Sequence, residues 1–549
     1  MPERRALWAL LLFFTLLVFL ELPGSRLLEP DEARYAEIPR EMLARGDFIT
    51  PELNGAHYFE KPPLLYWANA ASIALLGQTA FAARLPVRIA AIGTAVALIV
   101  ALESAALPGW GLWAALIFLS CPLGWVLSRY NLTDGVLTFA LTVSFLALRR
   151  FLQRREAGER ATGALALLGA GVAMATLAKG LIGIVFPGGV FLLWIAIVGR
   201  WRRLRELLLS PAPVVFLLLA VPWFVLVSRA NPAFAEIFFV REHFARFATP
   251  EAGRPGPIYY FVAAFIAGFL PWTFVSGRAI EPVREAWRER MRGYEDELFF
   301  VLWFLLILVF FSLSHSKLLP YILPAFPAAA ALVARGILTA KRDVRRAVVA
   351  NAVLVTLLVL GGLTYAVAAD ELARYGITAL TLLGGALMLA GAWAAVVAAP
   401  RAGRRALLIA AAGWGGLYLA LALALPHVSE DLSGHDLAVA AERAEANGHA
   451  TIVSYRVYPQ IVPWVVGHPI AVADHVGELG SDGIRPASLY WSDDEFWRRW
   501  RSGEHLVVFI KRRTLARFAR EAGAPTALAA NRRYVVVANF APGGSPRPR

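Results

Sequence analysis

Hydrophobic positions in this chain come in long blocks, most about as long as a helix needs to cross a bilayer (roughly 17–25 residues) and none in strand-like alternation. Such blocks predict membrane-crossing helices and exclude a barrel, whose strands would alternate. Thirteen spans are predicted, at about 6–22, 87–102, 111–127, 135–148, 162–178, 181–198, 207–227, 258–275, 298–313, 318–337, 347–368, 377–399 and 406–425. The first is read as a retained span, because Glu21-Leu-Pro-Gly-Ser25 makes a poor signal-cleavage site. Polar sequence gathers in a loop over 23–85 and in a tail from Pro426 onward.

The tail reads as a small α/β domain. Ser433 is predicted to cap a helix that runs to Ala446 and stops at Asn447-Gly448, followed by a strand over Thr451 to Tyr455. Ser492-Asp-Asp-Glu495 has the form of a capping box, and strands are predicted over His505 to Ile510 and Tyr534 to Phe540. The fold class is therefore a polytopic α-helical membrane protein with a C-terminal soluble α/β domain. Its predicted domains are 1–426 in the membrane and 427–549 outside it.

Composition agrees: 58% of the 549 residues are hydrophobic and 17% charged, which excludes a soluble enzyme. The net charge of +14 could suggest a nucleic-acid partner, but the basic residues sit in short clusters between apolar blocks, so none is expected. Twenty-three Lys and Arg fall at the N-terminus and in loops after even-numbered spans, including Arg149–Arg160 and Arg200–Arg205. Eight fall in the short loops on the other side. The positive-inside rule then places the 23–85 loop and the tail outside the cytoplasm, so chemistry is expected to face outward. Cys121, the only cysteine, lies in an apolar stretch and excludes an internal disulfide or a CxxC site.

The first outward loop is the densest in ionisable groups, with Glu29-Pro-Asp-Glu-Ala-Arg-Tyr35, Glu37, Arg40, Glu41 and Tyr58-Phe-Glu-Lys-Pro-Pro63. Charges just past a span can be merely solvated. Here Asp31, Tyr35 and Ile38 fall at helical spacing with Met42 and Leu43, predicting an amphipathic helix lying in the interface with its charged face toward a cavity. Other outward span ends carry Arg129-Tyr-Asn-Leu-Thr-Asp134, Lys179, Arg241-Glu-His243 with Arg246, and Ser314-His-Ser-Lys317 with Tyr321. Ionisable groups at such depth are costly and tend to line a substrate path, although each alone could snorkel or cap a helix. Together they offer acids (Asp31, Glu32, Glu60, Asp134), cations for phosphate (Lys61, Lys179, Arg246, Lys317) and a metal-capable imidazole, His243. Cations can clamp a phosphate leaving group while a carboxylate and an imidazole hold a divalent ion against it.

The run Glu29-Pro-Asp-Glu-Ala-Arg-Tyr-Ala-Glu-Ile-Pro-Arg-Glu-Met42, with Leu53-Asn-Gly55, Tyr58-Phe-Glu-Lys-Pro-Pro63 and Ala82-Ala-Arg-Leu-Pro86, resembles the first loop of the aminoarabinose (4-amino-4-deoxy-L-arabinose) lipid A transferases. These belong to the multi-span, polyprenyl-phosphate-dependent GT-C glycosyltransferases, related to protein O-mannosyltransferases. Thr176-Leu-Ala-Lys-Gly180 and Ser314-His-Ser-Lys-Leu-Leu-Pro-Tyr-Ile-Leu-Pro324 resemble later motifs of that family. The resemblance implies a bacterial inner-membrane enzyme with its active site and tail domain facing the periplasm. It would move a sugar with inversion from undecaprenyl phosphate to lipid A or another envelope acceptor. It implies Asp31, Glu32 and Asp134 at the reaction centre. Lys61 and Arg246 would sit on the donor phosphate, with Tyr35, Tyr58, Lys179, Lys317 and Tyr321 around the donor. Glu60 and His243 would hold a divalent metal (Zn, Mg or Mn), with no organic cofactor. A related transferase acting on a protein or another glycan is an alternative, and a lipid-linked sugar flippase is a second. The flippase would need two related halves with broken helices near the midplane, and no such internal symmetry stands out in the sequence.

Overall fold

The computed structural model describes residues 2–104, 106–245, 255–279, 295–339, 343–369, 375–475, 477, 479–480, 484–523 and 525–541. The elements used below are, in chain order, helix α1 (Asp31–Arg45), strands β1 (Glu52–Leu53) and β2 (Ala56–His57), and helices α2 (Thr133–Glu156), α3 (Thr162–Lys179), α4 (Arg202–Leu208), α5 (Pro211–Ala230), α6 (Glu295–Leu313) and α7 (His435–Gly448). They continue with β3 (Thr451–Tyr455), β4 (Ala471–Ala473), β5 (Tyr490–Trp491), helix α8 (Asp493–Arg501), β6 (Leu506–Lys511), β7 (Thr526–Ala530) and β8 (Tyr534–Ala538).

The chain is a multi-pass membrane protein. Each of the thirteen predicted spans falls on a helix or a broken helix. Eight helical stretches among the described residues are long and apolar enough to cross a bilayer, and one of them, Thr378–Ser433, carries two predicted spans in succession. The span predicted at 258–275 is broken, Tyr260–Gly268 and Trp272–Arg278 meeting at 104°. Lipid-facing positions are apolar without burial, as Leu218 shows at 70% exposure on α5.

The chain divides into two compact units. The first comprises Met1–Leu22, Arg84–Leu226 and Phe238–Ala424. Its helices approach through small residues: a Cβ on Gly169 would stand 2.3 Å from the Ala212 carbonyl oxygen, and one on Gly171 would stand 2.6 Å from Ser144 Oγ. Packing this close is what holds helices together where lipid is as apolar as leucine. Several buried arginines of this unit are paired with carboxylates, Arg84 and Arg88 both on Glu21 and Arg149 forked onto Asp296 at 2.6 and 2.9 Å.

The second unit comprises Pro23–Ala83, Val227–Ile237 and Leu425–Arg549, so the first loop packs with the tail. Its sheet runs β5-β4-β3-β6-β8-β7, parallel across the first four strands and antiparallel at β8 and β7. Val453, Val508 and Val537 pack with Trp497, Trp500 and Phe518 in its core. Three local expectations change. The long helix Ala406–Ser433 runs through Ser433, and α7 starts after Gly434 (φ 77°), with no side-chain cap. Ser492 Oγ does accept from the Glu495 amide at 3.2 Å, but the Glu495 carboxylate turns to Arg498 and to Arg499, at 2.6 Å from the latter. Helix α1 does not split into an apolar face and a charged one, since Glu32, Glu37, Arg40 and Glu41 are buried along with Ala36, Ile38 and Met42.

Candidate functional site

Buried charges survive on α1 because each is bonded, and the bonds fix the helix in its unit. Glu37 takes a two-point fork from Arg40 at 2.6 and 2.7 Å, and Arg40 also donates to the Gly467 carbonyl at 2.6 Å. Glu41 accepts the amides of Asn54 and Gly55 at 2.5 and 3.1 Å. These two residues turn β1 into β2 with φ of 55° and 71°, the left-handed pair a two-residue hairpin needs, which Asn-Gly supplies at least cost. The Asn54 side chain then clamps Ile470 just before β4, donating to its carbonyl at 2.9 Å and accepting its amide at 2.8 Å. Glu29, ahead of the helix, accepts the Ile461 amide. Burial pushes its carboxyl up to about 7 against these bonds.

Asp31 differs from its neighbours. It opens α1 with its side chain 39% exposed, 3.5 Å from the Arg34 guanidinium, which in turn donates to the Tyr58 hydroxyl at 3.3 Å. Glu32 is fully buried and accepts the Leu28 amide at 2.9 Å. Tyr35 stacks on Tyr66 with ring centres 6.0 Å apart, Asn69 holds the Tyr35 carbonyl at 2.9 Å, and burial raises both phenols well above their ordinary range. Lys61 bonds the Glu60 carbonyl at 3.0 Å, with the Glu60 carboxylate 3.9 Å away.

In the first unit, Asp134 at the start of α2 pairs with Lys179 at the end of α3 at 2.5 Å, and the Lys179 ammonium lies 4.3 Å from the Tyr321 ring centre. Lys317 caps the end of α6 by donating to the carbonyls of Phe311 and Ser312 at 3.1 and 2.7 Å. Arg246 and the side chain of His243 lie outside the described residues. Within the units, then, Asp31 and Tyr58 are joined through Arg34, Glu60 lies beside Lys61, and Asp134, Lys179 and Tyr321 are gathered into one cluster.

Two contributors stood within quoted sequence motifs but were given no role there. Arg34 lies at i+3 from Asp31, a readable helical pair. Asn54-Gly55 is a readable hairpin signal, but its clamp on Ile470 spans more than four hundred residues and leaves no local trace. Among the described residues, the cluster of His and carboxylates tight enough for a metal is Glu430, His435 and Asp436. Arg26 already stands 3.5 Å from both of its carboxylates.

Two family models match the chain: dolichyl-phosphate-mannose-protein mannosyltransferase over residues 6–238 and the aminoarabinose transferase C-terminal domain over 438–539. The chain is similar to the undecaprenyl phosphate-alpha-4-amino-4-deoxy-L-arabinose arabinosyl transferase of Serratia proteamaculans, 36% identical over 61% of this chain and 60% of that protein. The match thus spans about three fifths of that relative's length. The equally named protein of Edwardsiella ictaluri is 32% identical over 69% of this chain and 67% of its own. The crystal structure of ArnT from Cupriavidus metallidurans bound to undecaprenyl phosphate superposes with a TM-score of 0.85 at 26% identity, covering 98% of both chains.

Proposed function

Because the chain belongs to the aminoarabinose transferase family of helical-membrane glycosyltransferases, we propose that it moves 4-amino-4-deoxy-L-arabinose from undecaprenyl phosphate to a lipid A phosphate. The observation that carries the chemistry is the one accessible carboxylate of α1, Asp31, held beside Arg34 and Tyr58 while its acidic neighbours are buried. The protein would sit in the bacterial inner membrane with α1 and the tail on the periplasmic side. The membrane domain over 1–426, with its 23–85 loop, would carry the reaction, and 427–549 would form a periplasmic domain.

In the reaction the anomeric carbon loses its bond to the donor phosphate, which departs with the electron pair as undecaprenyl phosphate. An acceptor phosphate oxygen forms the new bond from the opposite face, giving inversion. That oxygen is already anionic, so no base is needed, and Asp31 instead holds the sugar through its ammonium group. Arg34 fixes the direction of the Asp31 carboxylate, and Glu32 fixes the chain entering α1 through the Leu28 amide. Lys61 and Arg246 stabilise charge on the departing phosphate, with Tyr35 and Tyr58 beside the donor. Lys179, oriented by Asp134 under the Tyr321 ring, is a second cation for the donor, and Lys317 supports the same region by closing α6. Glu60 and His243 are the residues that would hold a divalent ion. The Glu60 carboxylate already lies 3.9 Å from the Lys61 ammonium, a poor setting for a cation, and no step here passes through a metal.

Mass spectrometry of lipid A tests the reading, in a host that lacks its own transferase and is supplied with the donor pathway. The wild-type chain should add one amino-pentose, and Asp31→Asn should reduce that addition about 10²–10³-fold with the protein still in the membrane. Near-normal addition by the variant would remove Asp31 from the centre. No addition by the wild type would remove lipid A as acceptor.

A further inference from the structure

At the ends of α2 and α3 remote from the Asp134–Lys179 pair, the first unit contains a basic cavity of 620 Å³. Four arginines line it, Arg155 from α2, Arg160 from the turn before α3, and Arg202 and Arg205 from α4. The one acid in its wall, Glu206, is already claimed by Arg155 at 2.9 Å and Arg203 at 2.8 Å. Arg160, Arg202 and Arg205 have no carboxylate partner among the described residues. Salt pairing would normally absorb guanidinium charge in so crowded a stretch, so three unanswered arginines around one cavity make a site for an anion.

The cavity does not end in polar protein. Leu165 and Leu209 line it, and the same segment continues directly into the wall of a second cavity of 210 Å³ through Leu207, Leu208 and Pro213. That second cavity is apolar throughout, with Leu168, Val172 and Phe216 among its walls. Trp201, 57% exposed, stands just before α4, where an indole marks the boundary between headgroups and hydrocarbon. Asp134 and Arg155 are twenty-one residues apart on one helix, about 31 Å, so the basic cavity lies a full hydrocarbon thickness from the Asp134–Lys179 pair.

We propose that the basic cavity and the adjoining apolar groove together bind one anionic phospholipid of the leaflet remote from the Asp134–Lys179 pair. Its phosphate lies among Arg155, Arg160, Arg202 and Arg205, and an acyl chain lies between α3 and α5. Charge selects the anionic lipid over a zwitterionic one, because the one carboxylate in the cavity wall is held by two arginines.

Native mass spectrometry of the full chain in neutral detergent, with equal amounts of phosphatidylglycerol and phosphatidylcholine, tests this. The wild type should retain phosphatidylglycerol in preference. Each arginine changed to glutamine should weaken that preference about fivefold, in Arg202→Gln alone and cumulatively in Arg160→Gln/Arg202→Gln/Arg205→Gln. Arg150→Gln, an exposed arginine of α2 outside the cavity, should leave it unchanged. Equal retention by the triple variant and the wild type, or equal loss in Arg150→Gln, would overturn the site. Displacement of the lipid by an equal concentration of inorganic phosphate would overturn the lipid and leave a free-anion site. The single variant carries the test if the triple variant fails to fold.

Discussion

On helix α1 four carboxylates lie between Asp31 and Glu41, and three of them are consumed inside the protein. Which one can meet a substrate is therefore decided by bonding and not by acidity. All four were visible in the sequence as ionisable groups of the first outward loop, and the helical spacing of Asp31, Tyr35 and Ile38 with Met42 and Leu43 suggested a separate charged face that the buried helix does not have. The partners that bury them, the Leu28 amide, Arg40 with Gly467, and the Asn54 turn, are backbone groups or distant residues that no local pattern announces. Glu29 gives a pH signature at this scale. Its carboxyl titrates near 7 in the folded chain, above the ordinary 4.5, so the folded state holds a proton that the unfolded state releases. Its contribution to stability is full below about 4.5 and is lost as the pH rises toward 7. Thermal melts of Glu29→Gln should therefore gain on the wild type across that window, and parallel curves would refute the assignment.

Among the elements, the spans were legible because hydrocarbon demands twenty or so apolar residues in a row, a constraint too strong for local exceptions to hide. Strands β3, β6 and β8 were legible for a similar reason, being apolar runs between turn signals. Helix α4 was not, since seven residues with three arginines show neither length nor a clean period. Nor was the start of α7, where Ser433 offers a capping hydroxyl but the preceding helix runs on through it. Helix pairing makes its own prediction. Gly169→Val would drive a side chain into the Ala212 carbonyl and should cost about 1–3 kcal/mol of stability, whereas Gly163→Ala, with nothing within 4 Å, should be neutral or slightly stabilising. Detergent melting temperatures of the two variants separate the cases.

At the scale of the whole molecule, the sidedness inferred from arginine clusters can be measured directly, because Cys121 is fully buried and gives no labelling background. A membrane-impermeant maleimide added to intact spheroplasts should label Ser502→Cys in the tail domain and spare Arg150→Cys until the membrane is opened. The reverse pattern would invert the topology. The glycine contacts of α2 and α3 carry a mechanical consequence. Two helices in such close contact at Gly171 and Ser144 resist sliding past each other, so in a thinner or thicker bilayer the pair must tilt together or the lipid must deform around it. The pair acts as a ruler laid across the membrane, and turnover in vesicles of graded acyl length should pass through a maximum where the hydrocarbon matches its span.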